Sequence, residues 1–185
     1  MFLFFDLSVS AENNDKKIMD ELILAIGRDE KPAFQKLYQL TDRAIYGYAL
    51  SILKNVHDAE DIMQDTYIKI RETAHTYNAC EKPMAWIITI TRNLCLMKLR
   101  KNRFVTDEIS EQMENDIHLS YRENPEDKIV LETAMKVLDD EERQIVMLHV
   151  VVGMKHKEIG EILQCPLGSV LSKYHRSLKK LREHL

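Results

Sequence analysis

Glycine and proline are scarce in this chain. Its 185 residues include 5 Gly and 4 Pro, too few for frequent turns, which argues for long helices with few connections. Cysteine is equally sparse. Cys80, Cys95 and Cys165 are odd in number and form no Cys-x-x-Cys pair, so free thiols in a reducing cytoplasm fit better than disulfides or zinc. His149, His156 and Cys165 match no standard metal spacing, and Gly153 interrupts the stretch between the histidines; no metal and no cofactor is expected. There is no Gly-rich phosphate loop and no nucleophile–base pair, so the chain does not read as an enzyme. Long apolar runs are missing too. Met1–Phe5 is apolar but short, lacks a preceding basic residue and is followed by Asp6. That excludes a signal peptide and membrane insertion, and the expectation is a soluble, cytoplasmic protein.

What is present is material for real cores. Hydrophobic residues make up 45% and charged residues 30%, enough for one large or two small folded domains. The net charge of −4 hides its distribution. Arg92–Arg103 is basic without a single acid, and Lys155–Leu185 is basic as well. Between them Asp107–Glu142 is strongly acidic, with Arg122, Lys128 and Lys136 as its only Lys or Arg. Two positive segments separated by a negative one suit a nucleic-acid partner better than the total suggests.

Apolar spacing lays out the helices. Residues 1–15 carry no helical signal and read as an extension. Lys16–Arg28 places Ile18, Leu22, Ile23, Ala25 and Ile26 on one face, and Gly27 ends it. Pro32 opens a second helix with Phe34, Leu37, Tyr38 and Leu40. Asp42–Leu53 forms a third, and Lys54–His57 is a break. Asp58 reads as an N-cap for a helix to about Ala74 with Ala59, Ile62, Met63, Thr66 and Ile70 buried. Its other side carries Glu60, Asp61, Gln64 and Asp65, a face that simple solvation would also explain. Tyr77–Pro83 is a loop leading into a helix to about Lys101. There Ile87, Ile90, Leu94 and Met97 point to the core, and Trp86, Thr89, Arg92, Asn93 and Arg100 lie opposite. Aromatic and polar groups beside cations suit single-stranded bases; a core or hinge role for Trp86 is the alternative. Phe104–Asn124 has no clean period and reads as a linker. A second helical unit starts near Pro125, with Ile129, Val130, Ala134 and Val137–Leu138 in one helix and Asp140–Val151 in the next.

The C-terminal stretch then reads as two helices around a tight turn. His156–Gln164 comes first. Pro166 stops it, because proline lacks an N–H and its ring clashes with the preceding turn. Ser169 stands as the next N-cap, with Val170, Tyr174, Leu178 and Leu181 at helical spacing behind it. Gly160 suits a close crossing. The outer face offers Ser169, Ser172, Lys173, His175, Arg176, Lys179 and Lys180. Such a helix-turn-helix could enter a major groove, although a solvated helical hairpin has the same pattern.

Three groups of residues together carry a resemblance. Asp58-Ala59-Glu60-Asp61-Ile62-Met63-Gln64-Asp65, then Pro83-Met84-Ala85-Trp86 through Arg92-Asn93-Leu94, resembles region 2 of the bacterial RNA polymerase sigma-70 family. Glu141-Glu142-Arg143-Gln144-Ile145-Val146, followed by Lys157-Glu158-Ile159-Gly160 and Ser169–Arg176, resembles region 4. Their order and spacing are similar to those of the extracytoplasmic-function (ECF) group. The resemblance implies an all-α fold of two small helical domains: 1–15 an extension, 16–103 region 2, 104–124 an acidic linker and 125–185 region 4. It implies core RNA polymerase as a partner at Asp58, Glu60, Asp61, Gln64 and Asp65, and promoter DNA as another. The −10 element would meet Asn78, Lys82, Trp86, Arg92, Asn93 and Arg100. The −35 element would meet Ser169, Val170, Ser172, Lys173, His175, Arg176 and Lys179. The group also implies an anti-sigma factor, which nothing in the sequence encodes. The linker is expected near the RNA path, where its acids either mimic RNA charge or are simply solvated. Leu171 departs from the pattern, since many relatives carry a cation there, and Gly160 stands where Ala is usual. The competing expectation is a self-sufficient helix-turn-helix regulator that binds an operator without polymerase; the acidic Asp58–Asp65 helix separates the two, since an operator binder has no use for it.

Overall fold

A computed structural model describes residues 9–79, 82–105 and 136–184, and all regular elements among them are helical. Helix α1 spans Val9–Gly27, α2 Lys31–Leu53 and α3 Val56–Thr73, which runs into a 3-10 turn at Ala74–Thr76. Helix α4 spans Pro83–Val105. Helix α5, Asp140–Val146, continues as a π-helical turn over Met147–Val151, and α6 (His156–Leu163) and α7 (Leu167–Arg182) follow. Most of the expected linker, and most of the helix expected over 129–138, lie outside the described residues.

Several boundaries differ from the sequence reading for local reasons. The backbone of α1 is helical from Val9, well before the apolar pattern begins at Lys16. The second and third expected helices are one. Across the supposed break the Thr41 hydroxyl donates to the Leu37 carbonyl at 2.8 Å and lies 2.8 Å from the Tyr67 hydroxyl, so neither the backbone nor the side chain is left wanting a turn. The cap of α3 is Asn55, whose Oδ1 accepts from the Asp58 amide at 2.9 Å; Asp58 is therefore inside the first turn. Helix α7 starts at Leu167 with Pro166 in the cap position, which moves Ser169 from the cap into the first turn. Because glycine is scarce, left-handed connections fall to other residues: Asp29, Lys54 and Gln164 have φ of 62°, 57° and 56°. Each carries a cost on the order of 1 kcal/mol that glycine would avoid.

Packing builds one bundle from α1–α4. Ile23, Ile26, Leu37, Ile45, Tyr67, Ile70, Tyr77 and Ile87 form its first buried cluster. Ala49, Leu50, Leu53, Ala59, Ile62 and Cys95 form the second. Burial pushes the Cys95 thiol up to about 12, so it behaves as a small apolar group there. Met97, expected inside, is 62% exposed. Thr91 and Cys95 take the core-facing positions of that part of α4 instead.

A third cluster joins the C-terminal helices to this bundle. Tyr48 of α2 and Ile88 of α4 pack with Ile145, Leu148, Met154, Ile159 and Val170. Polar groups seal its edge. Arg143, nearly fully buried, donates from Nη1 to the Ser51 carbonyl at 3.3 Å and from Nη2 to the Leu138 carbonyl at 2.7 Å. Lys54 pairs with Asp140 at 2.7 Å, and hydrogen bonding from Lys54, followed by Arg143, holds the Asp140 carboxyl below its usual range. Within the C-terminal unit Gly160 earns its place by proximity. A Cβ there would lie 2.7 Å from the Cys165 carbonyl oxygen and 3.7 Å from Val170 Cγ2, so the tightest neighbour is the turn, with the following helix in ordinary contact behind it. An aromatic stack completes the unit: the rings of His149 and His156 lie 4.1 Å apart, and Tyr174 meets both edge-on at 4.8 Å. His149 Nδ1 is 2.8 Å from the Met154 carbonyl, and the buried His156 Nε2 has no hydrogen-bond partner among the described residues.

Two outcomes follow. Arg143→Ala strands two buried carbonyls, so it is expected to destabilise the chain by about 2 kcal/mol, read as a drop in Tm of about 4–8 °C; an unchanged melting curve would show that these bonds do not form in solution. The second concerns acid. Burial, then the neighbouring His149 and His175, hold the His156 imidazole below its ordinary pKa of 6.5. Protons therefore go preferentially to the unfolded chain, and stability that is complete above 6.5 is lost as pH falls through the window below it. Replacing His156 by Phe is expected to flatten the fall of Tm between about pH 7 and about pH 5; a fall as steep as in the unaltered chain would locate the titrating group elsewhere.

Candidate nucleic-acid interface

The acidic face is built on α3. Asp61, Gln64 and Asp65 are exposed at one side of the helix, and Glu60 is half-buried near His57, 3.9 Å away. Asp58 does not share the open face. It is tied to Lys98 of α4 at 2.8 Å, and the same ammonium reaches Asp61 at 3.4 Å. Hydrogen bonding to Asp58 raises the Lys98 pKa, so this cation stays charged and offsets part of the face. Sequence reading missed Lys98, since nothing in its spacing shows that α4 crosses α3 at that point. It also missed Ile68, which continues the row of Asp61, Gln64 and Asp65 and is 58% exposed.

The second face lies along α4. Trp86, Thr89, Asn93, Met97 and Arg100 recur at helical spacing, and all but the half-buried Trp86 are exposed. Met97 thus belongs with the candidate DNA residues. The Trp86 ring is 4.8 Å from that of Tyr77, and the Tyr77 hydroxyl donates to the buried Asp20 carboxylate. Two elements outside α4 therefore fix the indole. Asn78 and Lys82 are exposed beside it, and Lys82 pairs with Glu161 of α6 at 3.3 Å. Arg92 departs from the expected group. It is half-buried, its guanidinium beside the buried Tyr48, which places it on the side of α4 that faces α2.

The third face lies along α7. Leu167, Gly168, Leu171, Ser172, His175, Arg176, Lys179 and Arg182 are exposed in one continuous row. Ser169 is half-buried. Val170 is fully buried in the third cluster, as its place in the apolar row with Tyr174 and Leu181 predicts, so its side chain is not available to the −35 element that the resemblance implied for it. Lys173 is half-buried and pairs with Glu141. Lys180 pairs at 2.6 Å with Glu142, which is fully buried and closes a capping box with Asp139 at the start of α5. The structure thus brings together Ser172, His175, Arg176 and Lys179 from the expected set and sets Val170 and Lys173 apart. No helix among the described residues is long and apolar enough to cross a membrane.

Known proteins give this geometry its context. Residues 37–105 match Sigma-70 region 2, and residues 128–181 match Sigma-70, region 4. The chain is 26% identical over 176 residues to the ECF RNA polymerase sigma factor SigW of Bacillus subtilis, covering 88% of this chain and 94% of that protein. Its fold is similar to that of the sigma factor RpoE of Bartonella quintana, solved in complex with the anti-sigma factor NepR, with a TM-score of 0.66, 24% identity and coverage of 81% and 94% of the two chains. CnrH, solved with the cytosolic domain of CnrY, is similar at a TM-score of 0.62 and 18% identity, over 90% and 96% of the two chains. With both regions matched in order and the helical faces in place, this chain belongs to the sigma-70 family as a sigma factor of ECF type, which binds core RNA polymerase and directs initiation at promoters through their −10 and −35 elements.

Proposed function

We propose a division of that work among the three faces. The exposed row Asp61, Gln64 and Asp65 on α3, flanked by Glu60 and anchored through Asp58 and Lys98, docks on core polymerase. Trp86, Asn93 and Arg100 of α4, with Asn78 and Lys82 beside them, engage the −10 element as it opens. Melting costs about 1.4 kcal/mol per base-pair step, and each base stacked on an aromatic ring returns about 1–3 kcal/mol, so a fixed indole beside cations is the right kind of group. Ser172, His175, Arg176 and Lys179 of α7 meet the −35 element. The units responsible are residues 16–103 and 125–185, joined by 104–124. The chain itself performs no catalysis and works in the cytoplasm. The kinship with a sigma factor solved with an anti-sigma factor supports control by a partner of that class.

One observation carries the reading: acidic and base-facing surfaces occupy different helices of one chain, so protein docking and DNA reading do not compete. An operator-binding regulator would gain nothing from the α3 face. The test is transcription from a fragmented genome library by purified core polymerase with the added chain. The Asp61→Lys, Asp65→Lys double variant reverses two exposed carboxylates, one of them in contact with Lys98, and its melting curve is compared with that of the unaltered chain. It is expected to lose co-elution with core and at least about a hundredfold in initiation, since like charges opposed across an interface cost several kcal/mol. Undiminished initiation by this variant would remove the docking assignment, and specific DNA binding without polymerase would favour the regulator.

A further inference from the structure

The exposed row of α7 is sorted along its length. Its first two turns present Leu167, Gly168, Leu171 and Ser172; His175 follows, and the cations Arg176, Lys179 and Arg182 take over from there. Leu167 is 46% exposed and Leu171 36% exposed, one helical turn apart. Between them Gly168 presents bare backbone: a Cβ built there meets no protein atom within 4 Å. Ser172 spends its proton inside the helix, donating to the Gly168 carbonyl at 2.8 Å, which leaves its oxygen as an acceptor only. Lys173, the nearest cation, is turned to Glu141.

The exposed side chains of this front therefore include no cation to offer guanine, whose major-groove edge presents two acceptors and is met by Arg or Lys. What it does offer is apolar surface, and the apolar feature of the major groove is the thymine C5-methyl. The cations in the same row identify the occupant, because a polyanion that reaches Arg176 and Lys179 also covers the leucines one and two turns earlier. We propose that Leu167 and Leu171 read thymine methyls in the upstream promoter element, so that this factor selects A·T pairs where a cation at position 171 would select guanine. The inference rests on the assignment of α7 to the −35 element and adds which bases it prefers.

The experiment uses holoenzyme reconstituted from core polymerase and the full chain. A promoter library randomised in the upstream element is selected by transcription, and each enriched thymine is then replaced singly by deoxyuridine, which lacks only the methyl. Wild-type holoenzyme is expected to enrich thymine at adjacent positions. It is expected to lose about fourfold in promoter occupancy at the uracil opposite Leu171, the weight of one methyl-sized apolar contact. Leu171→Ala should bind the thymine and uracil promoters equally, and Leu171→Arg should shift the selected base toward guanine. Wild-type binding that is indifferent to every uracil would overturn the proposal. So would a Leu171→Ala defect that is equal on both DNAs and accompanied by weaker binding to core, which would place the leucines against protein. Initiation that ignores the upstream element altogether is a separate result. It would show in the library before any thymine is replaced and would remove the α7 assignment itself.

Discussion

The second half of helix α2, from Ala44 to Leu53, is buried on almost every side, and this constraint places the other elements. From Ala44 to Leu53 only Tyr46 and Ile52 retain partial exposure. Leu37 and Ile45 face α1, α3 and α4, Ala49, Leu50 and Leu53 face the start of α3 and the middle of α4, and Tyr48 faces the C-terminal unit. A helix that is apolar all round needs covering on all sides. The N-terminal bundle alone cannot supply that cover, so α5–α7 contribute the remaining wall. The same need explains the buried Arg143, whose guanidinium satisfies the Ser51 carbonyl, on the side of α2 that a purely apolar neighbour would have left unpaired.

Function then occupies what packing leaves outside. Once α3 has turned Ala59, Ile62, Thr66 and Ile70 inward, Asp61, Gln64 and Asp65 have nowhere to go but solvent. Once α4 has buried Ile87, Ile88, Thr91 and Cys95, the stripe from Trp86 to Arg100 is outward. The indole is the exception, half-sunk against Tyr77, whose hydroxyl is bound by Asp20 of α1. A ring held from two sides loses little further freedom on binding, which is what the proposed capture of an opened base would require.

How much of this could be read from the residues varies with the range of the interaction. Local signals worked. Pro83 opens α4, Pro166 separates α6 from α7, and the buried stripe of α3 follows from apolar spacing. The two helices expected on either side of Thr41 are one, and at their junction the Thr41 hydroxyl is held by the backbone and by Tyr67. Asp58 and Asn55 are both good caps in isolation, and only the geometry chooses Asn55. Met97, expected inside and found exposed, was misplaced for a related reason. Where a helix has a partner on only part of its surface, periodicity gives the width of the apolar stripe but not its edges. The ties of Lys98 to Asp58, Lys82 to Glu161 and Lys180 to Glu142 are long-range, and no sequence pattern carries them.

Those ties also decide which cations are free to meet DNA. A pair on the surface, such as Lys82–Glu161, is worth about 0–1 kcal/mol, so a phosphate can displace the carboxylate at little loss. Lys173–Glu141 is intermediate: its lysine is partly sheltered, and its acid is open to water. Lys180 is different in kind. Its partner Glu142 is fully buried, and withdrawing the ammonium would leave an uncompensated charge inside the fold, a loss larger than one phosphate contact returns. Lys180 therefore belongs to the architecture of the C-terminal unit, whereas its neighbours Arg176 and Lys179 are exposed to solvent. The basic character of the last thirty residues divides in this way between cations that hold the helix-turn-helix together and cations left at its surface, and formal charge alone could not have made that division.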